Sequence, residues 1–108
     1  MPFKVFLTDD AASDLEELYD HIALHDEPAK ADYVSAEIEK VFLSLRDTPK
    51  RGAHPKELLA LGIREYREVF LKPYRIIYRV INKKVYVLLI ADGRRDMQSL
   101  LERRLLRG

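Results

Sequence analysis

The sequence contains no cysteine, and histidine occurs only three times in 108 residues. Without cysteine the chain has no disulfide framework, no thiolate zinc site and no cysteine nucleophile. His54 stands alone, whereas His21 and His25 are four residues apart and would share one helix face. We interpret the latter two as a solvated pair rather than as metal ligands. The sequence therefore predicts no metal site and no cofactor.

Long apolar runs are also missing. The longest, such as residues 85–91, are the length of a strand and too short to cross a membrane. Residues 1–4 lack the apolar stretch of a secretory signal. We therefore expect a cytoplasmic protein without membrane association.

The charge of the chain is close to neutral in total but unevenly distributed. Apolar residues make up 47% and charged residues 34%, which is typical of one globular domain over residues 1–108. Residues 1–61 carry 7 Lys and Arg against 13 Asp and Glu, a net charge of −6. Residues 62–108 carry 12 against 5, or +7. The basic half suits phosphate or an acidic partner segment, unless the charges merely solvate two surfaces. We expect no sequence-specific DNA binding.

The first half changes from strand to helical periodicity. Alternating apolar residues at positions 3, 5 and 7 predict a short strand, and Thr8 is a suitable N-cap for the helix that follows. Pro28 suits the first position of a second helix. The apolar faces of the two helices are formed by Ala11, Leu15, Leu18, Tyr19 and Ile22, and by Val34, Ile38, Val41, Phe42 and Leu45. Two such helices joined by a few residues predict an antiparallel hairpin.

The second half is rich in strands. Residues 64–71, 74–81 and 85–91 predict a three-strand meander, and Asp96 is a candidate N-cap for a short last helix. The predicted fold class is α+β. Its elements are an N-terminal strand, a two-helix antiparallel hairpin packed on an antiparallel sheet completed by the meander, and a short C-terminal helix.

Three stretches in this order resemble the RelE/ParE toxin superfamily. They are Leu7-Thr8 with Ala11, Asp14-Leu15, Leu18-Tyr19 and Ile22; Gly62-Ile63-Arg64-Glu65 leading to residues 74–80; and residues 85–90 leading to Gly93-Arg94-Arg95-Asp96. RelE-type members cleave messenger RNA in the ribosomal decoding site, ParE-type members inhibit DNA gyrase without a known catalytic residue, and both are antagonised by an antitoxin. The resemblance thus implies the toxin of a type II toxin–antitoxin system.

The resemblance leaves three functions open. The long helical hairpin favours ParE-like inhibition of gyrase. The alternatives are a RelE-like, metal-independent mRNA endoribonuclease and an inactive module that only binds its antitoxin. By resemblance, Arg75 and Arg95 occupy the positions of the two phosphate-binding arginines of RelE-like nucleases. Glu57 lies near a carboxylate that other family nucleases use, and Glu68 would face Arg75 across the hairpin. These four residues would be catalytic only in a nuclease.

The sequence departs from the nuclease pattern at several positions. Tyr66 and Glu68 stand where RelE has two lysines, Leu101 stands where it has a C-terminal tyrosine, and no histidine lies near Arg95. These departures remove acid–base groups of the nuclease pattern, so complete catalytic machinery is not visible, although Glu57 and Glu68 still offer a candidate base.

Arginines in the basic half are the candidate contacts for antitoxin or target. They are Arg75, Arg79, Arg94, Arg95, Arg103 and Arg104. In the competing interpretation Arg75 and Arg79 only form surface ion pairs with Glu65, Glu68 or Asp96. Likewise, Arg94-Arg95-Asp96 only ends a strand and caps a helix. Strand tyrosines pose a similar choice between stacking on nucleobases and cross-strand packing, and we favour packing. They are Tyr66, Tyr74, Tyr78 and Tyr86.

Overall fold

A computed structural model describes residues 2–106. Four strands and four helices follow in the order β1 (Lys4–Leu7), α1 (Asp9–His25), α2 (Pro28–Leu43), α3 (Lys56–Leu59), β2 (Tyr66–Leu71), β3 (Tyr74–Ile81), β4 (Lys84–Asp92) and α4 (Met97–Leu101). A 3₁₀ turn, Ser44–Arg46, extends α2, and a π-helical turn, Glu102–Leu106, extends α4. This is the predicted α+β architecture.

The helix boundaries follow from local capping. The Thr8 side chain accepts a hydrogen bond from the Ala11 amide at 3.1 Å, and Asp9 and Asp10 lie at the positive end of the α1 dipole. Pro28 opens α2, where its missing N–H costs no hydrogen bond. The Asp96 side chain accepts from the Ser99 amide and begins α4. All three predicted starts are confirmed.

The sheet is mixed, with the strand order β1-β4-β3-β2. β2, β3 and β4 form the predicted antiparallel meander, but β1 runs parallel to β4, from Lys4 opposite Lys84 to Leu7 opposite Val87. The sheet was expected to be antiparallel throughout. Parallel neighbours need a long crossover connection, and the helical hairpin with the first two meander strands supplies it.

The sheet has a core on each face. The α1–α2 hairpin covers one face, here called the hairpin face, where Ile76 and Tyr78 of β3 are fully buried with Ile38 of α2. The helices α3 and α4 cover part of the opposite face, where Ile77 packs with Leu58. Successive β3 residues alternate between the two faces, as expected for a strand.

β4 extends beyond the end of β1, and side chains bind its unpaired edge. The Asp14 carboxylate of α1 accepts from the Ile90 amide at 3.0 Å, and Arg104 donates to the Leu88 carbonyl at 2.9 Å. The Arg104 guanidinium also binds both Asp14 oxygens at 2.9 Å, and this hydrogen bonding raises the pKa of Arg104. The C-terminal turn is thereby fixed to α1 and to the sheet.

Two further features concern membranes and metals. No helix within residues 2–106 combines the length and apolarity that crossing a bilayer requires. In the same range, no three His, Cys, Asp or Glu side chains come together as a metal-binding group. The His21 and His25 rings contact each other, with centroids 4.4 Å apart.

Candidate functional site

An ion cluster of Glu57, Glu68 and Arg75 lies on the face opposite the hairpin. The Arg75 guanidinium donates through Nη1 and Nη2 to the two Glu57 oxygens at 2.8 and 2.7 Å. Its Nε donates to Glu68 Oε1 at 2.7 Å. The side chains of Arg75, Glu57 and Glu68 are only 10%, 12% and 7% exposed. Each guanidinium nitrogen therefore already binds a carboxylate away from bulk water.

Strand register and a short helix bring these three side chains together. Glu68 pairs with Ile77, so Arg75 is its diagonal neighbour on the same face. The fully buried Leu58 fixes α3 on the second core and holds the adjacent Glu57 beside β3. Gly93 completes the enclosure, because a Cβ there would lie 2.8 Å from Arg75 Cδ. The contact between Glu68 and Arg75 is the one expected from the sequence.

The cluster holds more negative than positive charge. Hydrogen bonding to Arg75 lowers the pKa of Glu57, and the carboxylates raise the pKa of Arg75. Burial has the larger effect on Glu68 and raises its pKa despite the Arg75 contact. Two carboxylates thus share one guanidinium. Because the Arg75 side chain is only 10% exposed, little of its guanidinium is accessible to a phosphate.

A separate groove of about 620 Å³ lies between α1 and the ends of β3 and β4. Its apolar lining includes Leu18, Ile22, Tyr74 and Ile90, and its charged or titratable lining includes Asp14, Glu17, His21, His25, Asp26, Lys30, Asp92, Arg94 and Arg95. Several of these charges are already paired. Lys30 binds Asp26 at 2.6 Å, and Arg94 binds Asp92 and lowers its pKa. Within residues 2–106 the exposed Arg95 side chain has no hydrogen-bond or ion-pair partner.

The two arginines that the resemblance assigned to phosphate binding have different surroundings in the structure. Arg75 lies in the ion cluster with Glu57 and Glu68, whereas Arg95 lines the groove, and no groove residue belongs to the cluster. Arg94 also lines the groove, where Asp92 binds it.

The remaining candidate arginines lie elsewhere. The Arg79 guanidinium lies 5.8 Å from the centre of the Tyr66 ring. Arg103 is exposed, and Arg104 is bound to Asp14. The candidate contacts are therefore distributed over several surfaces, and Arg104 has an intramolecular partner.

Sequence reasoning missed the role of Asp14. It binds both the β4 edge and Arg104, which lies 90 positions away. One signal was present in the sequence, because an acidic residue at position 14 falls between Ala11 and Leu18 on the apolar face of α1. A carboxylate on such a face needs a buried partner. The spacing alone could not identify that partner.

Comparison with known proteins gives a family and three similar folds. A model of the family described as ParE toxin of type II toxin–antitoxin system, parDE, matches residues 5–97. A search of curated proteins found no match. The structure of the chromosomal ParDE toxin–antitoxin system from P. aeruginosa is 27% identical, covers 83% of this chain and 95% of its own, and has a TM-score of 0.71.

Two more distant structures share the fold. The toxin–antitoxin complex RelBE2 from Mycobacterium tuberculosis is 21% identical over 85% of this chain and 99% of its own, with a TM-score of 0.62. A mutant of E. coli toxin RelE in the free state is 15% identical over 97% of this chain and 100% of its own, with a TM-score of 0.64.

Proposed function

The chain belongs to the ParE toxin family of type II toxin–antitoxin systems, and from this premise we propose that it arrests growth by inhibiting DNA gyrase and that a cognate antitoxin neutralises it. In this proposal the chain acts by binding its target and forms no covalent intermediate. The family assignment supports the toxin role, and the geometry of Arg75 supports binding over cleavage.

The enclosed state of Arg75 is the observation that carries the mechanism. Cleavage of RNA by its own 2′-hydroxyl needs cations that stabilise the charge developing on the phosphate. Here Arg75 is bound by Glu57 and Glu68, whereas Arg95 is exposed and lines the groove. Both carboxylates bind Arg75 and do not face a space where a substrate would lie. This arrangement supports a structural role for the cluster and a toxin that inhibits by contact.

The groove beside α1 supports an antitoxin contact. Its apolar residues Leu18, Ile22 and Ile90 suit the apolar side of a partner segment. The exposed Arg95, which has no partner among residues 2–106, suits an acidic residue on that segment. The P. aeruginosa and M. tuberculosis relatives are described as a toxin–antitoxin system and a toxin–antitoxin complex. By analogy, an amphipathic acidic segment of the antitoxin would occupy this groove. Arg79, Arg94 and Arg103 remain further candidate contacts.

One observation favours the RelE-like alternative. Glu57 and Glu68 both lie within 3 Å of Arg75, and the raised pKa of Glu68 would suit a proton carrier. As a nuclease, the chain would have to open this cluster when it meets messenger RNA on the ribosome. The two functions therefore differ in their products, DNA damage or cut RNA.

Induced expression with two readouts tests the proposal. We expect loss of DNA supercoiling or DNA breaks, no codon-phased cleavage of messenger RNA, and relief by the co-expressed antitoxin. Cleavage ends in phase with codons would contradict it and support the endoribonuclease. Neither effect, with antitoxin binding retained, would support the inactive binding module.

A matched pair of charge variants tests the groove. Arg95→Gln should weaken antitoxin binding about tenfold, because it removes an exposed cation from the contact. Lys40→Gln removes an exposed charge on α2, away from the groove, and should leave binding unchanged. Equal effects of the two substitutions would contradict the placement of the antitoxin.

A further inference from the structure

One row of side chains crosses all four strands on the sheet face opposite the hairpin. Strand register places Phe6 of β1 beside Tyr86 of β4, Tyr86 beside Arg79 of β3, and Arg79 beside Tyr66 of β2. We call these four residues the aromatic row. With neighbouring strands about 4.8 Å apart, the row is about 14 Å long. It shares no residue with the ion cluster or with the groove.

The rings of the aromatic row are arranged as partly accessible pairs. Phe6 and Tyr86 stack with centroids 5.6 Å apart and an angle of 22° between their planes, and Phe6 is 42% exposed. Arg79 lies over the Tyr66 ring. By contrast, Tyr78 is fully buried on the other face and its hydroxyl accepts from the Gly52 amide at 3.0 Å. Cross-strand packing therefore accounts for Tyr78 but leaves ring surface accessible in the row.

Positive charge accompanies the aromatic row. By alternation and register, the next residues on the same face are Lys4 of β1, Lys84 of β4 and Ile81 of β3, and all three are exposed. With Arg79, this stretch of strand surface carries three cations. None of these seven strand residues is acidic, although the whole chain has a net charge of only +1.

We propose that the aromatic row binds single-stranded nucleic acid, RNA or DNA, without sequence preference. Unpaired bases stack on exposed rings, and a planar base can extend the stack formed by Phe6 and Tyr86. The three cations lie beside the rings, where they would contact the phosphates of the nucleic acid whose bases stack there. An acidic protein segment would complement the three cations, but it has no flat bases that could stack on rings on adjacent strands. This activity goes beyond gyrase inhibition and does not depend on it.

Fluorescence anisotropy with the full chain tests the proposal. The probes are labelled ten-nucleotide strands, oligo(dT) and oligo(U), and a ten-base-pair duplex at low salt. We expect both single strands to bind about tenfold or more tighter than the duplex, because only they expose base faces. The double substitution Phe6→Leu and Tyr86→Leu keeps apolar volume but removes the rings, and it should weaken binding at least about tenfold.

Matched substitutions distinguish stacking from general effects. Phe70→Leu alters a 51%-exposed ring at the other end of β2 and should leave affinity unchanged. The double variant Lys4→Gln with Lys84→Gln, at two exposed positions, should reduce the salt dependence of single-strand binding by about one to two released counterions. This measurement tests the proposal even if the leucine variant folds poorly. Equal affinity for the duplex, or equal losses in Phe70→Leu and the leucine variant, would overturn the proposal. The proposal would also be overturned if poly-glutamate displaced the single-stranded probe equally well from the native protein and from the Phe6→Leu/Tyr86→Leu variant. That result would indicate an acidic protein partner.

Discussion

Replacing Arg75 by methionine should be among the most destabilising single changes in this protein. It would leave Glu57 and Glu68, 12% and 7% exposed, without their shared counter-charge. Removing one partner of a buried ion pair typically costs about 3–5 kcal/mol. A domain of this size is stable by about 5–15 kcal/mol in total, so the variant should lose a large part of its stability.

Urea unfolding of Arg75→Met measures this loss. The control is a triple variant that also carries Glu57→Gln and Glu68→Gln, which removes the buried charges and should recover about half or more of the lost free energy of unfolding. A loss below about 1 kcal/mol in the single variant would refute the argument, since exposed pairs have that value. A triple variant no more stable than the single one would also count against it.

The pH dependence gives an independent check. In the native protein the pKa of Glu57 is lowered, so its stabilising contribution is present above the unfolded pKa of about 4.3 and is lost as the pH falls below it. In Arg75→Met, burial without a cation should raise the pKa of Glu57 above its unfolded value and raise further the pKa of Glu68, which burial already raises in the native protein. The stability difference between the two proteins should therefore narrow as the pH falls from 7 to about 5. A stability difference that widens as the pH falls over this range would contradict the expected direction of these pKa shifts.

Two other substitutions should have separable effects. Asp14→Ala removes the acceptor for the Ile90 amide and the partner of Arg104, so it should cost about 2–4 kcal/mol and accelerate hydrogen exchange at Ile90; unchanged exchange would contradict the edge-binding role. Tyr78→Phe leaves the buried Gly52 amide unsatisfied and should cost about 1–3 kcal/mol by thermal unfolding, whereas no change would mean that the amide finds another acceptor.

Much of the fold could be predicted because its residues repeat with clear periods. The limits of β3 were predicted to the residue, since turn residues at 72–73 and 82–84 bound a run rich in aromatic and β-branched residues from Tyr74 to Ile81. The start of β2 was placed two residues early, because residues 63–65 form an irregular segment between the turn at Gly62, whose φ is +75°, and the strand. The direction of β1 could not be predicted, since alternation identifies buried faces and not neighbouring strands.

The candidate site was only partly accessible from the sequence. The contact between Glu68 and Arg75 could be predicted, because the short turn between β2 and β3 fixes which residues are diagonal neighbours in the hairpin. The position of Glu57 depends on the packing of α3 against the core on the face opposite the hairpin. No sequence pattern between α3 and β3 indicates this packing. The pairing of Arg104 with Asp14 joins the two ends of the chain. Counting cations in the basic half therefore could not distinguish Arg104, which binds Asp14, from Arg95, which is exposed.

We propose that this toxin inhibits gyrase by binding and does not cut RNA. The most direct measurement adds the purified chain to gyrase with relaxed plasmid and, in parallel, to translating ribosomes. We predict concentration-dependent loss of supercoiling that the antitoxin reverses, and intact messenger RNA on the ribosomes. Codon-phased RNA cleavage together with unimpaired supercoiling would contradict the account.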